Sequence, residues 1–364
     1  MKNVLKIAVV LFTALSFSFA NAGELTVTGN AKASYVIISS DSSTGVAEQP
    51  NSLGVSNEFN LGASGELDNG MSWGYNINID GSTTQDDGGL FLSSDSMGKV
   101  AINISQGGLE LSKAGALSAD GNRGSDSGYA EDMFEEWSAG DAPNIQYHTP
   151  ADLLPFGIAA KIAYVPNTAS DANQSVNDLT SSNTGAVNGG TLANSGAIYT
   201  TGGISNGGRT FTQYQVTAAP IDGLAIGASY GDFGGATGDT GQSAEGGSWY
   251  AKYAAGNVTV AYGKSNIALP NASTSVLYET VLGQKYSALV AVNDEVSLSY
   301  GVEKSEATHN LATTADVEQE VTKIAAAYTT GGLTLSLGMV DYENVAYTAN
   351  KDVKATVLNM GMAF

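Results

Sequence analysis

From Leu25 onward the chain is a succession of segments, each about ten residues long, in which apolar and polar side chains alternate. In the first of them Leu25, Val27, Ala31, Ala33, Tyr35 and Ile37 share one face, while Thr26, Thr28, Asn30, Lys32 and Ser34 share the other. A period of two is the signature of a β-strand with one wetted and one apolar side. The connections between segments are of two unequal kinds. Short ones fall at 68–70, 106–107, 220–223, 255–256, 293–294 and 330–332, and two of them carry the Asn-Gly or Asp-Gly pair of a tight hairpin. Long ones run over 39–56, 81–97, 114–143, 166–208, 232–245, 265–283, 305–318 and 342–352. Short and long alternate, as in an antiparallel meander pinned by tight turns at one end. Counting hairpins gives sixteen strands, and fourteen or eighteen stay open because 99–105 and 108–113 are short. The fold class is therefore all-β, an antiparallel barrel whose two chain ends lie on one side.

A strand barrel of this kind can cross a membrane, and a helix of this chain cannot. The apolar run at 7–20, behind Lys2 and Lys6 and ahead of Ala20-Asn21-Ala22, reads as a secretory signal peptide over 1–22. It leaves 23–364 as a single barrel domain. No later segment approaches the roughly 20 consecutive apolar residues that a spanning helix requires, whereas a spanning strand needs only about 9 to 11. With 45 glycines, 7 prolines and 14% charged residues, the composition favours strands and turns over helices. Cysteine is absent, so no disulfide holds the exported chain together. A closed barrel has no need of one, because every backbone N–H and C=O finds a partner strand.

The formal charge of -21 excludes nucleic acid as a partner and makes cations the natural counter-ions. Alternation assigns the wetted wall: Lys32, Lys161 and Lys252 lie opposite Tyr35, Ile162 and Tyr253 in phase, and Lys99, Arg209 and Lys323 follow the same rule. Glu58, Glu66, Glu110 and Glu303 share the inward phase. Trp73, Tyr75, Tyr164, Trp249, Tyr253, Tyr262, Tyr300 and Phe364 fall on the outward phase, either as interfacial girdles or as ordinary strand composition. Between 114 and 143 stand Asp120, Asp126, Glu131, Asp132, Glu135, Glu136 and Asp141 against one base, Arg123. So many carboxylates are not buried unpaired, and a solvated surface loop is the simplest reading of them.

Catalytic readings are poor. Gly227-Ala228-Ser229-Tyr230-Gly231 matches a nucleophile elbow literally, yet it lies inside an alternating strand, and His148 and His309 are the only histidines. Two distant histidines and no cysteine make no zinc or iron set, so no cofactor is expected. Calcium stays open, since Asp86 with Asp87, or the acids near Glu131, offer the oxygens that a hard cation takes.

Three stretches carry a family resemblance. The chain ends Leu358-Asn359-Met360-Gly361-Met362-Ala363-Phe364, with apolar residues on one face and an aromatic at the terminus. It also contains Gly23-Glu24-Leu25-Thr26-Val27-Thr28-Gly29, and Asn144-Ile145-Gln146-Tyr147-His148-Thr149-Pro150 followed by Pro155-Phe156-Gly157. In these it resembles the Gram-negative general porins of the alphaproteobacterial kind. That resemblance implies a sixteen-stranded barrel in the outer-membrane lipid, with a third external loop folded into the lumen. It also implies a homotrimer, recognition by the outer-membrane assembly machinery through Phe364, and passive diffusion of small hydrophilic solutes and ions. It favours the acids of 114–143 as a constriction facing bases such as Lys32 and Lys99, and their excess implies a mild cation preference. Gln146 stands where the family carries a base, which removes a positive charge from the expected wall. Two competing readings are a solute-specific porin and, in another class, a secreted or surface β-sandwich that binds a partner and needs no detergent.

Overall fold

The computed structural model describes residues 23–40, 51–80, 83–104, 109, 111–127, 136, 138–139, 143–151, 153–166, 210–234, 245–268, 278–309 and 315–364. The expected signal peptide lies outside them. Sixteen strands follow one another around a closed barrel, each antiparallel to its neighbours, and β1 and β16 complete the ring. They are β1 (Glu24–Ser40), β2 (Ser52–Glu66), β3 (Ser72–Asp80), β4 (Thr83–Ser94), β5 (Gly98–Ile104), β6 (Asn144–His148), β7 (Ala159–Val165) and β8 (Thr210–Ile221), followed by β9 (Leu224–Gly234), β10 (Glu245–Ala255), β11 (Val258–Ala268), β12 (Tyr278–Ala291), β13 (Val296–His309), β14 (Val317–Thr330), β15 (Leu333–Glu343) and β16 (Val353–Ala363). Closure continues to the last residue: Gly29 and Phe364 exchange backbone hydrogen bonds of 2.8 and 2.9 Å, and the Phe364 ring rests 5.5 Å from that of Phe59.

Burial is inverted relative to a protein that folds in water. On β15, Leu335, Leu337 and Met339 are 44%, 41% and 58% exposed on the outside. Inside, Gln213, Gln215, Lys285, Glu303, Lys323 and serines at 229, 248, 265, 287 and 299 are buried. A chain dissolved in water rarely exposes apolar surface of this extent, and polar groups are buried only where they are hydrogen-bonded. Near the upper ends of β13 to β16 the outer face turns charged. Lys304 pairs with Glu318 at 2.8 Å and Glu320 at 2.6 Å, and Lys354 with Asp341 at 2.5 Å. These pairs bound the apolar belt at that end.

The strand count agrees with the sequence reading, but two elements move. The long connection expected over 81–97 is mostly β4, which turns at 95–97 into β5, with Gly98 at φ +78° ending the turn. No strand forms over the described part of 108–113. Leu109 and Leu111 alternate as a strand would, yet Leu109 is fully buried inside the barrel and Ser112–Gly115 is a 3-10 turn. The hairpin turn expected at 106–107 lies outside the described residues. β4 was hidden by its start, Thr83-Thr84-Gln85-Asp86-Asp87-Gly88-Gly89, which reads as loop, and by the unbroken apolar run Leu90-Phe91-Leu92. Phe91 points inward because Gly74 leaves room: a β-carbon there would lie 2.3 Å from the ring. Lys99 caps that ring, its Nζ 4.5 Å from the centroid.

Candidate functional site, a loop laid across the lumen

After β5 the chain turns into the barrel and runs along its inner wall, touching one strand after another. Gln215 of β8 donates to the Leu109 carbonyl at 2.9 Å. Gly115 lies against Gly263 of β11, and its carbonyl accepts from Ser287 of β12 at 2.7 Å. Leu117 N donates to that same Ser287, and Ala119 N to Ser299 of β13, at 2.7 and 2.8 Å. Ser125 gives both its N–H and its hydroxyl to Glu303 of β13, and the Tyr342 hydroxyl of β15 donates to the carbonyls of Gly124 and Ser127. The returning stem is held too, with Ala139 N on Gln213 at 2.8 Å. The stretch 115–119 can lie this close because the wall positions facing it, Gly263, Ser287 and Ser299, are glycine or serine. A β-carbon on Gly115 would approach the Gly263 nitrogen to 2.8 Å. Gly263→Leu is therefore expected to push the loop toward the pore axis and lower single-channel conductance; unchanged conductance would mean the loop does not rest on β11.

Two buried ion pairs fasten the loop. Lys323 of β14 reaches both Asp120 oxygens at 2.7 and 2.9 Å, the Asn122 carbonyl at 2.6 Å and the Ser127 hydroxyl at 2.7 Å. Lys285 of β12 stands 3.6 Å from Glu303, the carboxylate that holds Ser125. Charges so deeply buried are tolerable only with this many additional hydrogen bonds. Arg123 grips Asp126 through two bonds of 2.5 and 3.1 Å. Burial pushes the Asp126 carboxyl up, but the Arg123 bond and charge, aided by Lys113 and Lys285, hold it below the ordinary range. Glu136 accepts from the backbone N–H groups of Leu111 and Ser112 at 3.1 and 3.0 Å and from Ser229 and Gln213, so it clamps the two stems together.

Of the residues singled out in the sequence, Asp120, Arg123, Asp126 and Glu136 thus lie on a loop inside the barrel, each engaged in bonds that shape it. Strand pairing places Lys32 on β1, Lys99 on β5, Lys161 on β7, Lys252 on β10 and Lys323 on β14 on the lumen face. Lys99, His148 and Lys161 form one row across β5, β6 and β7. Gln146 links Asn144 at 2.9 Å to His148 at 2.8 Å. Glu131, Asp132, Glu135, Asp141 and Arg209 lie outside the described residues, as do the side chains of Asp86 and Asp87, so the calcium reading falls there too. Lys285 and the wall serines were missed. Their signal was small polar residues at the inward phase of successive strands, which alternation alone does not distinguish from any wetted face. The elbow-like serine, Ser229, sits mid-strand on β9 and bonds Glu136 and Ser248.

No family model matches the chain, and no curated protein matches it. Solved structures do. An anion-selective porin from Comamonas acidovorans superposes with a TM-score of 0.64 at 12% identity, over 94% of this chain and 100% of that one. OmpF of Salmonella typhi, in complex with daunomycin, gives 0.60 at 12% identity, over 94% and 98%. OmpT, an outer membrane protein of Vibrio cholerae in its trimer form, gives 0.57 at 12% identity, over 94% and 100%. The chain has the porin fold. At such identities the likeness speaks for the porin architecture, and what this barrel passes must be argued from its own wall and loop.

Proposed function

We propose that this porin-fold chain is an outer-membrane diffusion channel for small hydrophilic solutes and ions, and not an enzyme. The observation that carries the reading is the combination of an apolar outer belt with a polar inner wall across which a loop is held. Such a cylinder sits in lipid and offers water a narrowed path. On this reading 1–22 is the signal peptide, 23–364 is the one barrel domain, and Phe364 is the residue the assembly machinery reads. The homotrimer rests on the likeness to barrels that include a trimeric one. A mild cation preference rests on the acid excess of the whole chain. Glu136, spent on clamping the stems, and Asp126, paired with Arg123, each contribute little to it.

Purified from detergent into a planar lipid bilayer, the chain is expected to insert stepwise as open, ohmic channels. Under a potassium chloride gradient the reversal potential is expected to carry the sign of a weak cation preference. A chain that stays dispersed in plain buffer and conducts nothing would sink the channel reading, and an anion-selective reversal potential would sink the preference alone.

A further inference from the structure

Below Asp120, where β15, β16 and β1 meet, the lumen wall holds a recess of about 270 Å³. Its polar lining is Asn30, Lys32, Asp120, Thr334, Ser336 and Asn359, and every strand residue among these is on the inward phase. Its one carboxylate is already committed to a lysine outside the recess. Asp120 gives both oxygens to Lys323, so two ammonium groups share one carboxylate. Lys32 is left with a single long hydrogen bond among the described residues, 3.5 Å to the Asn122 side-chain oxygen. Lys32 makes no ion pair among the described residues, and Glu58 of the neighbouring β2 turns its carboxylate to the amides of Asn30, Asn60 and Asn78 at 3.2, 3.0 and 2.7 Å. Around Lys32 stand amide and hydroxyl groups able to donate or accept: Asn359 reaches Ser336 at only 3.3 Å, and Thr334 bonds Thr329. Gly361 supplies the volume, since a β-carbon there would meet nothing nearer than 3.9 Å.

We propose that this recess is a wall site for small polyhydroxylated acids, the aldonate class, with the carboxylate on Lys32 and the hydroxyls on Ser336 and Asn359. A carboxylate supplies the charge that Lys32 lacks, and hydroxyl groups match amide and hydroxyl partners that serve equally as donors and acceptors. In an acidic channel such a site gives an anionic solute a foothold against the overall field. The inference rests on the channel reading and refines it.

The test uses the full chain in lipid vesicles, with uptake of labelled gluconate and of labelled glucose measured beside single-channel conductance. Gluconate uptake is expected to saturate and glucose uptake to rise linearly. Lys32→Gln, which removes a charge-assisted bond, is expected to raise the half-saturation concentration about tenfold. Gly361→Leu, which fills the recess and leaves the charge in place, should do the same. Normal conductance with linear gluconate uptake overturns the site and leaves the channel standing, whereas absence of both conductance and uptake fails the channel reading beneath it. Saturation unaltered by either variant, or glucose competing as well as gluconate, also overturns the proposal.

Discussion

Replacing Asp120 by alanine is expected to loosen the lumen loop and destabilise the barrel by about 3 to 5 kcal/mol, the usual cost of leaving one member of a buried ion pair alone. Lys323 and Asp120 are 3% and 1% exposed at their side chains, so neither can turn to water when its partner is removed. Lys323 would keep the Asn122 carbonyl and the Ser127 hydroxyl, which solvate an ammonium but do not neutralise it. The segment around 118–122 would then lose its charged tie to β14, keeping only the Asn122 carbonyl there and the Ala119 bond to Ser299, so the loop would loosen about β13. Larger and noisier single-channel currents should accompany a lower unfolding midpoint. Asp120→Ala with Lys323→Met removes the charge as well as its partner and should recover most of the stability but not the quiet current, because the loop remains untied. Equal stability and current in Asp120→Ala and the parent chain would show that the pair does not hold the loop.

The same pair shows what could and could not be read from the sequence. Alternation told which face Lys323 occupies, because Ile324 beside it carries the apolar phase and lies on the outside, 57% exposed. It could not tell that Asp120, about two hundred positions away in the chain, would close on it across the lumen. Strand faces follow from neighbours in the chain, whereas the loop's seat depends on small residues distributed over β9 to β13. The acids of 114–143 illustrate this: their charge was plain, but Glu136 proves to be a backbone clamp and Asp120 half of a buried pair. β4 was missed for a local reason. Two acids and two glycines at its start imitate a loop, and Phe91 breaks the alternation by turning into a space that only Gly74 provides. The strand wrongly expected over 108–113 offset the one overlooked at 83–94, so the total of sixteen came out right although one contribution to it did not.

The second large effect tests the inverted burial directly. Leu337 stands outward in the middle of β15, 41% exposed, with Leu335 below it and Met339 above. The charged pair Lys354 to Asp341 begins two outward positions higher, so Leu337 lies well within the apolar belt and away from its rim. Leu337→Arg is expected to cost about 2 to 4 kcal/mol, the penalty for a guanidinium near the bilayer midplane. Thr28→Arg is the fitting comparison, because Thr28 is exposed on the inward phase of β1 and its replacement would hang in water. Urea unfolding in lipid vesicles should therefore separate the two variants, with Leu337→Arg shifted to lower denaturant and Thr28→Arg close to the parent. The same barrel standing in water would show no such separation, since an arginine at an exposed leucine costs it nothing. Equal unfolding midpoints for the two variants would show that the outer face meets water and not lipid.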